Sequence, residues 1–173
     1  IGDKTQLLAL VLAARYRKPW PIVAGILVAT LLNHALAGWL GALVSGWLSP
    51  DVLRWGVVVS FLAVAAWALV PDKLDDDEAK APRFGPFLAT LVAFFIVEIG
   101  DKTQVATVVL AAQYEPLWQV VAGTTLGMAV ANVPVVLLGA AFAAKLPLKA
   151  ARYAAAALFA GLGLWVAVMG LPA

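Results

Sequence analysis

Gly2-Asp3-Lys4-Thr5-Gln6 returns, residue for residue, as Gly100-Asp101-Lys102-Thr103-Gln104, and each copy opens or interrupts a long apolar stretch. Charge inside hydrocarbon is expensive. Two such insertions at matching places predict an internal repeat built around a polar site in a membrane. The offset of 98 positions that carries Gly2 onto Gly100 also pairs Val11 to Ala14 with Val109 to Ala112, Tyr16 with Tyr114, Trp20 with Trp118, and Val23 to Gly25 with Val121 to Gly123. Compositional bias can match alanines and valines, but not the pentapeptide, Tyr and Trp together. Duplication is the better account.

Apolar residues make up 64% of the 173 positions and charged residues 13%, with a mean hydropathy of +0.95. That lies outside the range of a water-soluble core of this length. Apolar runs of about 20 residues favour spanning helices, and the alternating pattern of a membrane barrel does not occur. The expected fold class is all-α, a polytopic membrane protein. Cysteine is absent, which removes disulfides, thiolate metal sites and thiol catalysis. His34 is the single histidine, has no clear nucleophile partner and sits in no HExxH pattern, so no enzymatic activity is expected. The net charge is +2, but the basic residues sit in short loops, where they set orientation rather than bind nucleic acid.

Six helices are expected. Residues 1–14 read as the second half of helix 1, followed by a basic turn, Arg15-Tyr16-Arg17-Lys18-Pro19. Helix 2 is expected from Trp20 to Trp47, with Ser49-Pro50-Asp51 as its break, and helix 3 over 52–70. Asp72 to Arg83 form the one long polar connection, and its acidic run, Asp75 to Glu78, reads as a solvated loop. Helix 4 is expected from Phe84 to Gln113, helix 5 from Leu117 to Ala144 with a kink at Pro134, and helix 6 from Leu148 to Leu171. Residues 1–71 then form a first three-helix repeat, 72–83 an acidic cytoplasmic loop, and 84–173 a second repeat. Residues 85–98 supply a half-helix ahead of the second pentapeptide, so the numbered chain is expected to start inside helix 1, with a Glu just before Ile1.

Three helices per repeat make the two halves enter the membrane from opposite sides. The charges agree: nine of the twelve Lys and Arg fall in the loops after helices 1, 3 and 5, which places those loops in the cytoplasm. Trp20, Trp47, Trp55 and Trp118 read as interfacial anchors.

Glu98 and Asp101 are three residues apart, so on a continuous helix they project from nearly the same face near the bilayer centre. Carboxylates there are neutralised by protons, paired with cations or bridged by a metal. Lys102 can offset one charge, Gly100 admits a close neighbour, and Thr103 and Gln104 add neutral oxygens. The first copy places Asp3, Lys4, Thr5 and Gln6 in the same arrangement, and pseudosymmetry brings the copies face to face. Oxygen-only coordination by Asp3, Glu98 and Asp101 suits hard ions such as Ca²⁺ or Mn²⁺; Mg²⁺ gives up its water more reluctantly. Asn33, His34 and Asn132 bring further polar groups to comparable depth as possible supporting residues. The alternative to a site is that Asp3 with Lys4, and Asp101 with Lys102, are buried ion pairs that glue helices together; duplication and the surplus carboxylate of Glu98 weigh against it.

Glu98-Ile99-Gly100-Asp101-Lys102-Thr103 resembles the Glu-x-Gly-Asp-Lys/Arg-Ser/Thr signature of a cation/proton exchanger family, which includes bacterial manganese exporters of the MneA and Mnx type and Golgi calcium/manganese antiporters. The resemblance extends over essentially the whole chain, with one signature in each half and an acidic connection between. It implies movement of Mn²⁺ or Ca²⁺ out of the cytosol against inward protons, with the signature carboxylates as the shared site and the divalent ion as substrate; no prosthetic group is expected. The first signature departs by lacking its Glu. The location implied is a bacterial inner membrane, or a Golgi membrane in a eukaryote. Two other readings are an exporter of small organic cations such as basic amino acids, which calls for a roomier, aromatic-lined cavity, and a non-transporting assembly subunit, which should bind no metal.

Overall fold

Proline punctuates the chain, and five of the described helices begin at or just after one. Its missing N–H is no loss in a first helical turn, where that donor has no partner anyway. In the computed structural model, which describes residues 4–71, 85–139, 145 and 147–171, α1 is Lys4–Tyr16. Pro19 opens α2, Pro19–Ser45, and Pro50 opens α3, Pro50–Ala68. Pro86 opens α4, Pro86–Glu98. After α5, Lys102–Gln113, Pro116 and Pro147 immediately precede α6, Leu117–Leu138, and α7, Leu148–Met169. No strand occurs among the described residues. Among the described residues four helices, α2, α3, α6 and α7, are long and apolar enough to cross a membrane, and α4 is a shorter apolar helix. This is an all-α, polytopic membrane protein.

One expectation from the sequence needs correction. Helix 4 is not a continuous rod over 84–113: it divides into α4 and α5 at Ile99-Gly100-Asp101, with Gly100 at φ +75°. Residues 140–144, where helix 5 is expected to end, lie outside the described residues, and α6 ends at Leu138 with Gly139 at φ +73° as its C-cap. It does run through Pro134. Asp3 and the acidic connection at 72–83 lie outside the described residues.

α2 is the hub, packing against α1, α4, α5 and α6, while α3 lies along α7 and also touches α5. Its buried positions, Ile22, Ile26, Ala29, Thr30, Asn33, His34, Ala37, Gly38 and Gly41, step by three and four and form one stripe. The opposite face exposes Leu27, Leu31, Leu36 and Trp39, as suits a helix with lipid on one side. One apolar cluster joins Leu8 and Leu12 of α1, Ile22 and Ile26 of α2, Phe94 and Val97 of α4, and Val135 of α6. A second joins Val57 and Phe61 of α3, Val109 of α5 and Val166 of α7, with the Phe61 and Phe159 rings stacked at 6.1 Å.

Glycine brings α2 unusually close to its neighbours. A Cβ built on Gly25 would lie 2.8 Å from Phe87 O and from Thr90 Cβ, and one on Gly41 only 2.2 Å from Val108 O. No side chain fits at such distances, so glycine lets α2 rest its backbone on both α4 and α5.

The helix starts repeat the sequence offset: Pro19 and Leu117, and Pro50 and Leu148, are each 98 residues apart.

Candidate functional site

The break between α4 and α5 builds the site. Ile99 and Asp101 are extended on either side of Gly100, whose positive φ an L side chain resists. Two backbone bonds hold the corner, Ile99 N–H to Ile96 O at 3.3 Å and Asp101 N–H to Glu98 O at 3.1 Å. The Gly100 N–H donates to Gln104 Oε1 at 2.7 Å. A side chain one turn into α5 therefore folds back to satisfy the break.

Glu98 ends α4 and is 1% exposed. Its Oε1 accepts from Thr30 Oγ1 at 2.6 Å and its Oε2 from Asn33 Nδ2 at 3.0 Å. Thr30 and Asn33 lie one turn apart on the buried stripe of α2, so both reach the same carboxyl group. The Asn33 amide also donates to Phe95 O at 3.0 Å, and its Oδ1 accepts from Gln104 Nε2 at 3.4 Å. Both hydrogen-bond partners of the carboxyl group are neutral. They fix its position but supply no counter-charge, so a negative charge here must be balanced by a proton or a cation.

Asp101 stands at the N-cap of α5, where an Asp side chain ordinarily accepts from the first-turn N–H groups. It makes no such bond. It is 2% exposed, and its Oδ2 has no hydrogen-bond partner. With the helix broken, Glu98 and Asp101 do not stack on one helical face as expected; they sit at the facing ends of two half-helices. Lys102 opens α5. Its Nζ donates to Val70 O at 2.8 Å and lies 5.9 Å from the Trp67 ring centre, toward the C-terminal end of α3.

Of the first pentapeptide, Asp3 lies outside the described residues. Lys4 is half-buried, and Thr5 is buried with an Oγ1 that has no hydrogen-bond partner. Gln6 Nε2 donates to Ala131 O of α6 at 2.8 Å. This bond is the 98-residue counterpart of Gln104 to Asn33: Gln6 maps onto Gln104, and Asn33 onto Ala131. Each motif glutamine thus crosses to the second long helix of the other half. Thr5, Gln6, Lys102 and Thr103 border a cavity of about 460 Å³ that continues past Met128 to Arg152.

The supporting candidates divide. Asn33 joins the carboxyl group directly. His34, next to it, is buried with no hydrogen-bond partner on either ring nitrogen. Asn132 donates to Met128 O in its own helix at 3.0 Å, leaving its buried Oδ1 without a partner. Thr30 was not anticipated; its place on the stripe with Asn33 was the available signal.

Comparison with known proteins places this geometry. The family model described as "Divalent cation/proton antiporter GDT1" matches residues 1–76 and 86–172. The chain belongs to the GDT1 family. A GDT1-family transporter is not an enzyme, and the long apolar helices are its membrane spans. A Vibrio cholerae protein named "Putative manganese exporter" is 61% identical over 160 residues, covering 92% of this chain and 80% of its own length. A GDT1-like protein of Synechocystis is 29% identical over 172 residues, covering 86% of this chain and 81% of its own. GDT1-like protein 5 of Arabidopsis thaliana is 28% identical over 166 residues, covering 71% and 70%. No solved structure matches the chain.

Proposed function

We propose that this GDT1-family protein exports divalent cations, Mn²⁺ and/or Ca²⁺, from the cytosol of a bacterial cell in exchange for protons. The observation that carries this is the Glu98 carboxyl group, buried at a broken helix and held by the neutral donors of Thr30 and Asn33. Asp101 supplies a second buried oxygen that its N-cap position does not use, and Asp3 is assigned as the third ligand from the first motif. Discontinuous helices recur at the ion sites of secondary transporters, because their free backbone ends and small residues admit an ion at mid-depth. The Vibrio cholerae relative's name points to manganese among the divalent ions.

Residues 1–71 and 84–173 act as two inverted three-helix repeats, a reading supported by the recurring helix starts and the crosswise glutamine bonds. With its carboxylates deprotonated, the site takes a divalent ion from the cytoplasm. The repeats rock, and protons from outside displace the ion from the same oxygens; that competition couples the two flows.

The test is metal-dependent proton flux in proteoliposomes holding the purified protein, comparing Mn²⁺, Ca²⁺ and Mg²⁺ across a pH gradient. Mn²⁺ or Ca²⁺ should drive coupled flux and Mg²⁺ should not; Glu98→Gln should abolish it while leaving the protein folded. Normal exchange by Glu98→Gln would overturn the assignment.

A further inference from the structure

We propose that Met128 is a specificity-determining residue, favouring Mn²⁺ over Ca²⁺ through its thioether sulfur. The inference deepens the reading above and rests on it, since it takes the carboxylates of Asp3, Glu98 and Asp101 as the ligands that bind the cation. Carboxylate oxygens hold both ions, so they leave the choice between them open. A soft donor does not. Sulfur adds little for the hard ions Ca²⁺ and Mg²⁺, whereas a first-row transition ion such as Mn²⁺ accepts it more readily. The chain has few soft donors, with no Cys and two Met. Met169 is 66% exposed at the end of α7, while Met128 is 6% exposed in the middle of α6.

Three observations bring Met128 to the site. It is the 98-residue counterpart of Thr30, the position on the second long helix of a repeat from which the Glu98 carboxyl group is held. It borders the same cavity as Thr5 and Gln6 of the first pentapeptide and Lys102 and Thr103 of the second. The Gln6 bond to Ala131 O, 2.8 Å long, also pins the first turn of α1 against α6 one helical turn from Met128, so the pentapeptide that carries Asp3 meets α6 beside the sulfur.

Two buried oxygens in this region are unused. Among the described residues, Thr5 Oγ1 on the cavity wall and Asn132 Oδ1 have no hydrogen-bond partner. Asn132 stands one turn beyond Met128, and its Nδ2 donates to Met128 O at 3.0 Å and lies 3.8 Å from the Met128 sulfur. The amide nitrogen is thereby committed, and the oxygen is the end left over. Buried oxygens without a donor are costly unless a ligand uses them; here they are neutral donors available to a cation beside Met128.

Free Mn²⁺ read by electron paramagnetic resonance over the purified full chain in detergent gives the Mn²⁺ affinity, and displacement of Mn²⁺ gives the affinities for Ca²⁺ and Cd²⁺. Cd²⁺ is close to Ca²⁺ in size but soft, so it separates softness from fit. Met128→Leu nearly keeps the side-chain volume. It should weaken Mn²⁺ binding roughly tenfold, the equivalent of about 1.4 kcal/mol, and Cd²⁺ binding by more, while Ca²⁺ affinity stays within about twofold. Met128→Gln puts a hard amide oxygen where the sulfur stands and should shift the preference toward Ca²⁺ roughly tenfold. Met169→Leu should change none of these affinities. Equal losses of Mn²⁺ and Ca²⁺ binding in Met128→Leu would show a packing role alone and overturn the proposal, as would an ion preference unchanged in both Met128 variants. If the unsubstituted protein binds no divalent cation, or Glu98→Gln binds Mn²⁺ as tightly as its parent, the carboxylate reading falls and the proposal with it. That result is distinct from carboxylate-dependent binding whose preference ignores Met128.

Discussion

Replacing Gly41 by Ala tests whether α2 rests on α5 as closely as the structure shows. The added carbon would lie 2.2 Å from Val108 O and 3.1 Å from both Ala111 Cβ and Ala112 N. Ordinary contact begins near 3.4 Å, so the helices must part by roughly 1 Å or bend. What stands opposite is largely backbone, which cannot swing aside as a long side chain could. Overpacking of this kind costs about 1–3 kcal/mol. The strain also travels, because Asn33 and Thr30 lie about 12 and 16 Å back along the same helix at 1.5 Å per residue. The Thr30 to Glu98 bond, 2.6 Å long, has little slack. Gly41→Ala should therefore lower unfolding stability in detergent by about 1–3 kcal/mol and cut Mn²⁺ flux in proteoliposomes several-fold. Gly123→Ala is the comparison, since a carbon there meets nothing within 4 Å, and it should change neither quantity. A Gly41→Ala protein as stable and active as its parent, or a Gly123→Ala protein equally damaged, would refute the close seating.

Thr30→Val keeps the side-chain volume but removes one donor to Glu98; Mn²⁺ affinity by titration should fall by about 1 kcal/mol, or roughly fivefold. Gly100→Ala meets no neighbour within 4 Å, so its cost is backbone strain alone at φ +75°, about 1–2 kcal/mol by thermal unfolding. Arg54→Leu removes the guanidinium that donates to Val166 O and Ala167 O near the end of α7; unfolding stability should drop by about 1.5–3 kcal/mol, with Lys restoring only part of it. Lowering the pH should weaken Mn²⁺ binding, because protons compete for the same oxygens, and binding should release protons to an indicator dye.

The pentapeptides made the general plan legible. Their spacing, with the prolines and the apolar runs, gave the order of helices and most of their ends to within a few residues. The break at Gly100 was not legible, because apolar residues continue through Val97 and Ile99 and resume at Val105, and hydropathy does not register one turn of extended backbone. Thr30 was hidden for a different reason. A threonine in an apolar helix usually returns its hydroxyl to a carbonyl one turn back, as Thr90 does to Pro86 O, Thr107 to Thr103 O and Thr124 to Val120 O. Thr30 spends its hydroxyl on Glu98 instead, a choice that depends on which helix lies opposite. His34 looked equivalent to Asn33 in the sequence, yet neighbouring positions on one helix face different ways, and Asn132 lies 98 residues after His34 rather than after Asn33.

The shared register of the helix starts has a practical consequence. Residues 98 apart sit at the same phase of equivalent helices, so the molecule carries a built-in control for every substitution in its long helices. Thr30 can be read against Met128, Asn33 against Ala131 and His34 against Asn132 within one polypeptide, in one bilayer, at one expression level. Exchanging the members of such a pair would show whether ion selectivity belongs to one half or is divided between both.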